Sequence, residues 1–297
     1  MNSCDKEENI DVHIDDPYNK HITDIAVDDN NNIWVGTFKN GLYKFDGDSW
    51  STYKHPDDLV SDTIRAITVS NIGILWVGTN LGISKFENQN WSNLTELDGL
   101  FNNDIRSLDC DLENNILIGT RNNRLVKYDG ENFTNYHVNP DESGPIEMGH
   151  IHTITHDVNG NIWVGSCISG LSKFDGTIWT DKINNLNAFV QSSICSTEGD
   201  VWIGHHSGAY KFSNENWTKY TNTDGLPSNI IKCFTIDHQN NIWVGTDSGL
   251  SKFDGLEWTN YTTDNGLTNN NINALACDQK GDIWIGTNSG LSKLSLQ

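Results

Sequence analysis

The chain is poor in proline, arginine and positive charge. Five prolines among 297 residues exclude a polyproline or collagen-like polymer, and the 26 glycines beside them point to many short elements joined by glycine turns. Arginine occurs four times, at Arg65, Arg106, Arg121 and Arg124, and 19 basic side chains face 40 acidic ones for a net charge of -21. A surface of that sign repels polyanions, which excludes nucleic acid gripped over a broad face. No apolar run approaches the roughly 20 residues that a membrane-spanning helix needs, and mean hydropathy is -0.52, so a membrane can be reached only through a lipid anchor. Nothing in the spacing of the six cysteines suggests a zinc site, and no other metal or cofactor is indicated. What the chain does have is tryptophan, 11 in all, in a composition that predicts an all-β protein.

Six of these tryptophans mark a repeat. Trp34-Val35-Gly36-Thr37 returns at Trp76, Trp163, Trp202, Trp243 and Trp284, with a degenerate copy at Leu117-Ile118-Gly119-Thr120. The spacings are 42, 41, 46, 39, 41 and 41 residues, the span of one four-stranded propeller blade. Each unit reads as four short strands. Strand A follows an Ile-x-x-Ile pattern, as at Ile64-Arg65-Ala66-Ile67. Strand B carries the Trp-Val-Gly-Thr, strand C reads Gly-Leu-Ser-Lys-Phe at Gly170 to Phe174, and strand D opens with a second aromatic at Trp50, Trp91, Phe133, Trp179, Trp217 and Trp258. Aromatics that recur once per blade at fixed positions are expected to pack between blades, and the strand C lysines to cover them with their stems.

Seven units predict a seven-bladed β-propeller over residues 9–297, preceded by a tether over residues 1–8. The last unit stops after strand C at Leu294. Asn9 to Ile14 alternates polar with apolar and stands where a strand D stands elsewhere, so it is expected to complete the last blade and close the ring.

Asp224-Gly225-Leu226-Pro227, Asn241-Ile242-Trp243-Val244-Gly245-Thr246 and Gly249-Leu250-Ser251-Lys252-Phe253-Asp254-Gly255 together resemble the two-component regulator propeller repeat. The resemblance covers roughly residues 18–297 and implies a sensor-type propeller, of the kind found in extracytoplasmic domains of bacterial hybrid histidine kinases that perceive glycans. It supplies no enzymatic residues. A more distant similarity links the blades to streptogramin lyases, whose catalytic His and Glu positions have no convincing match here. Met1-Asn2-Ser3-Cys4-Asp5-Lys6-Glu7-Glu8 resembles the start of a mature bacterial lipoprotein. Cys4 is then the lipidated residue of an extracytoplasmic, membrane-anchored protein; the alternative is a cytoplasmic chain. Cys110, Cys195 and Cys277 hold one matching position in three blades, too far apart to pair, and are expected to be small core residues, as is Cys233; Cys167 falls in a surface turn.

The start of strand A and the B-to-C turn share one face of the disc. There the second residue of strand A reads Thr23, Arg65, Arg106, His152, Gln191, Lys232 and Asn273, a positive ring on an acidic protein. Arg121 and Arg124 fall in the B-to-C turn of blade 3 on the same face. His150 and His152 follow the longest connection, and His205 and His206 interrupt the turn of blade 5. Departures from a repeat mark where a site is grafted, because the regular positions are explained by packing. The expected ligand set is therefore Arg65, Arg106, Arg121, Arg124, His150, His152, His205, His206 and Lys232. The function expected is non-enzymatic binding or sensing of an anionic small molecule or acidic oligosaccharide at the channel mouth. The alternatives are a protein-protein interaction scaffold, or a lyase or hydrolase using the top-face histidines.

Overall fold

The computed structural model describes residues 9–11, 17, 19–122, 125–136, 150–180 and 183–296. They form seven four-stranded antiparallel sheets. Six sheets run A-B-C-D in chain order. The seventh takes its outer strand from the N-terminus, where Asn9–Asp11 pairs with the last strand in the register Asn9 with Ser295, Ile10 with Leu294 and Asp11 with Lys293. The expected closing strand is thus present over residues 9–11, and residues 12–14 of it lie outside the described residues, as does Cys4. Strand A of every blade lies against strand A of both neighbours in a closed cycle, which places these strands around a central channel.

The glycine of the Trp-Val-Gly-Thr motif sets how closely the blades approach. A Cβ at Gly36 or Gly78 would lie 2.6 Å from Cγ2 of the first isoleucine of the next strand A, Ile64 or Ile105. At Gly286 it would lie 2.5 Å from Ile22, so the same contact joins blade 7 to blade 1. Only glycine admits such contact, and these isoleucines are fully buried. The threonine closes the B-to-C turn: the hydroxyls of Thr37, Thr79, Thr246 and Thr287 donate to the carbonyls of Gly41, Gly82, Gly249 and Gly290 at 2.7–2.9 Å.

The tryptophans pack between blades as the repeat predicts. Trp34, Trp163, Trp202 and Trp243 are essentially buried, and strand C lysines sit over the strand B indoles at 5.1–5.7 Å, for example Lys173 over Trp163 and Lys211 over Trp202. The buried indole N–H finds an acceptor in the A-to-B turn: Trp34, Trp163, Trp243 and Trp284 donate to Asp28, Asp157, Asp237 and Asp278 at 2.9–3.0 Å. Blade 2 has Ser70 in that place, and the Trp76 indole N–H is left without a partner. Cys110, Cys167, Cys195, Cys233 and Cys277 are free thiols.

Candidate functional site

All seven strands A share an irregularity near their start. Ile22 pairs with Thr37 and Asp24 with Gly36, so the register slips across Thr23; the same slip crosses Arg65, Arg106, His152, Gln191, Lys232 and Asn273. A bulged residue leaves the ladder and its side chain is re-aimed. The seven bulge residues are the ring read from the sequence, and all are half-buried at one end of the channel.

Their partners divide the ring. Arg106 is held by a carboxylate that the sequence reading did not anticipate: Nε lies 3.0 Å from Asp104 Oδ1, and Nη2 donates to Oδ2 at 3.0 Å. Arg121 reaches the same carboxylate at 3.5 Å. Arg65 has no carboxylate within ion-pair distance among the described residues; its guanidinium lies over the Phe38 ring at 5.5 Å. Burial, then the neighbouring charge of Arg106, lowers its pKa despite the pull of Asp104. Arg124 lies outside the described residues, as does most of the long connection before blade 4.

The histidines of this face are engaged with one another, with aromatic rings and with the turns. His150 and His152 meet edge to face at 5.9 Å. Burial, then His150, Arg106 and His206, lowers the pKa of His152 to about 4, so it is neutral at physiological pH and offers hydrogen bonds only. His206 stacks on the half-exposed Phe189 at 4.9 Å. His205 replaces the turn threonine and acts as acceptor in its stead. Its Nδ1 accepts from the Ser207 backbone N–H at 2.9 Å, as Thr79 and Thr246 accept from residues 81 and 248, and it lies 2.7 Å from the Ser207 hydroxyl. Burial lowers its pKa as well, against the pull of a bond to the Ala188 backbone. Its Nδ1 is therefore engaged in the turn.

Lys232 stands across the ring, donating to Asn271 Oδ1 at 2.6 Å and to Asn273 Oδ1, with its pKa lowered by burial. His21, close enough to feel Lys232, packs at 5.6 Å against Phe38. Phe38, Asp104 and Phe189 belong to this face and were not singled out in the sequence. Phe38 had a signal: the position after the turn threonine is elsewhere Asn80, Arg121, Asp247 or Asn288, and no other blade places an aromatic carbocycle there.

A histidine-carboxylate pair exists away from this face. His156 Nδ1 lies 2.9 Å from Asp109 Oδ2, at the opposite end of strand A, and the bond to Asp109 raises the His156 pKa despite burial. Among the described residues no cluster of three or more His, Cys, Asp or Glu could hold a metal ion. Two clefts open between blades at the outer side. One, of about 560 Å³, is lined by Trp34, Lys44, Phe86 and Trp91, and another, of about 210 Å³, by Trp202, Lys211 and Phe253. Both use recurring packing positions.

Residues 17–39, 225–248 and 266–289 match the family described as two component regulator propeller. These three segments carry the two component regulator propeller repeat. Solved structures share the fold. A chain from B. thetaiotaomicron described as the extracellular domain of a one component system superposes with a TM-score of 0.79 at 21% identity, covering 97% of this chain and 40% of its own. Another from the same organism, described as the extracellular domain of a hybrid two component system, gives 0.77 at 22% identity, covering 93% and 40%. This propeller thus spans about two fifths of those chains. Virginiamycin B lyase from Staphylococcus aureus gives 0.80 at 13% identity, covering 98% and 100%. No curated protein sequence matches significantly.

Proposed function

We propose that this propeller is a non-enzymatic binding or sensing module that receives an anionic ligand, a carboxylated saccharide, at the channel mouth over blades 2 to 5. The observation that carries the reading is the bulge ring. It sets Arg65 and Arg106 side by side on adjacent blades and leaves Arg65 unopposed by a carboxylate of its own. A guanidinium donates two parallel hydrogen bonds to a carboxylate, and a half-buried one does so with less competition from water. Neutral His152, close enough to feel Arg106, suits sugar hydroxyls. The repeat family and the B. thetaiotaomicron structures, described as extracellular domains of regulators, support a sensing role outside the cytoplasm. Attachment through a lipid on Cys4 fits that placement, and mass spectrometry of natively produced protein tests it: a diacylated Cys4 is expected, and an unmodified Met1 contradicts it.

Calorimetric titration against matched acidic and neutral oligosaccharides tests the ligand class. Trigalacturonate is expected to bind and galactotriose not to. Preference for the neutral sugar overturns the reading.

A second reading, a protein-binding face, is favoured by one observation. Leu81, Leu97, Phe101, Ile168, Phe189 and Ile230 are exposed apolar residues of the B-to-C turns and D-to-A connections, on this same side of the disc. The lyase reading has less support, because His205 serves its turn and the His156 and Asp109 pair lies at the other end of the channel.

A further inference from the structure

The third residue of strand A, next to the bulge, reaches across to strand A of the following blade. Asp24 of blade 1 accepts from the Ile67 backbone N–H of blade 2 at 2.7 Å, and from its own neighbour Ile25 at 2.9 Å. Ser107 donates to the Ile151 carbonyl at 3.1 Å, and the Thr153 hydroxyl meets Ser193 at 2.7 Å. Three blade seams in the channel wall are thus bridged by the side chain at this position, whereas the Ser192 hydroxyl, at the same position of blade 5, has no partner. The Asp24 bridge shows in addition that a strand A backbone N–H at this level can take a carboxylate.

Two blades place only a methyl group there, at Ala66 and Ala274. Behind Ala274 the matching N–H is that of Ile25, already held by Asp24. Behind Ala66 it is that of Leu108. Leu108 pairs with Ile118 as Ile67 pairs with Val77, so its N–H holds the ladder position that in blade 2 faces Asp24, and no side chain accepts from it among the described residues. Ala66 directly follows Arg65, and Leu108 lies two residues beyond Arg106. The seam with a methyl in place of a carboxylate is therefore the one beneath the two arginines of the ring.

We infer that the seam between blades 2 and 3 is a carboxylate subsite, in which the Leu108 N–H and the Arg65 and Arg106 guanidinium groups hold an acidic group of the ligand where Ala66 leaves room. Asp24 shows the complementary case. Its carboxyl, bridging the seam between Thr23 and Arg65 with no cation among the groups that act on it, is pushed up to about 7 by burial against the pull of the two N–H groups. At the Ala66 seam two guanidinium groups supply the countercharge that Asp24 lacks. The subsite rests on the acidic-saccharide reading and makes it specific: one carboxylate must be able to enter the channel wall, so a uronate at a chain end fits better than one flanked on both sides.

Ala66→Asp tests it by giving blade 2 its own carboxylate in the manner of blade 1. The variant should melt above the wild type at pH 7, because the new carboxylate takes the Leu108 N–H beside Arg65. It should also bind trigalacturonate at least about tenfold more weakly, the loss of one charge-assisted contact. Ala66→Gly, which keeps the space open, should bind within about threefold of the wild type, since it removes no polar contact. In the wild type, the Leu108 amide resonance should move downfield as trigalacturonate is added. An A66D protein that melts below the wild type, one that is stable and binds like the wild type, or an unmoved Leu108 resonance at saturation would each overturn the subsite. Stabilisation by A66D combined with no uronate binding by the wild type would uphold the seam as an anion site and overturn the saccharide reading instead.

Discussion

Arg65 and Arg106 occupy matching positions, but the structure predicts that their removal has different consequences. Arg65 holds no carboxylate of the protein, so Arg65→Ala loses a cation-π contact with Phe38, about 0.5 to 1 kcal/mol, and gains relief from the repulsion of Arg106. Its stability should hardly change, while affinity for a uronate should fall about ten- to a hundredfold, the 1.5 to 3 kcal/mol of one charge-assisted contact. Arg106→Ala does more. It strips a two-point partner from Asp104, whose side chain is 19% exposed, leaving only Arg121 at 3.5 Å. A partly buried carboxylate deprived of its fork costs about 1 to 3 kcal/mol of stability and then repels the ligand, so affinity should fall further than in Arg65→Ala. The decisive variant is Asp104→Asn. It releases both Arg106 and Arg121, and should tighten uronate binding by roughly three- to tenfold at low salt, with the gain shrinking as salt rises. Calorimetry at two ionic strengths reads all three. Weaker binding in Asp104→Asn, or equal losses in the two arginine variants, would refute the role of Asp104 as a competitor for the ring.

Two further predictions concern the frame that carries the site. Replacing Ser70 by Asp together with Ile74 by Asn gives Trp76 the acceptor that Asp28, to which the Asn32 amide donates, provides in blade 1, and should raise the melting temperature by about 2 to 4 °C, because a buried unpaired donor costs about 1 to 3 kcal/mol; no change would mean the indole is not a source of instability. Asp24→Asn should be progressively more stable relative to the wild type as pH rises from 5 to 8. The folded protein holds the Asp24 proton up to about pH 7 while the unfolded chain releases it near 4, so ionisation penalises only the folded state and the wild type loses stability across that window. Urea unfolding at both pH values checks this, and a constant difference would contradict it.

The ring of blades was legible because its signals are periodic: a tryptophan in six of the seven blades, a glycine where the next strand A approaches, a threonine at five of the seven turns. Closure was legible because a strand D was missing at one end and alternation was present at the other, although the described strand is shorter, over residues 9–11. The mouth of the channel was legible only as positions. A period of two places residues on faces, but it does not announce a bulge, and the bulge is what turns Arg65 and Arg106 out of the ladder. Asp104 was hidden among the many Asp and Asn residues of the connections, where nothing local distinguishes a carboxylate that grips an arginine from one that only caps a turn. The histidines stood out as departures from the repeat, but their charge depends on burial. His205 also shows that a residue departing from the repeat can still close the turn as the regular threonine does.

A crystal structure of the propeller grown with saturating trigalacturonate tests the central claim most directly. A sugar carboxylate is expected between Arg65 and Arg106 at the channel mouth, with one oxygen within hydrogen-bond distance of the Leu108 N–H. Density confined to the outer clefts or to the opposite face of the disc, with the bulge ring holding only water, would contradict it.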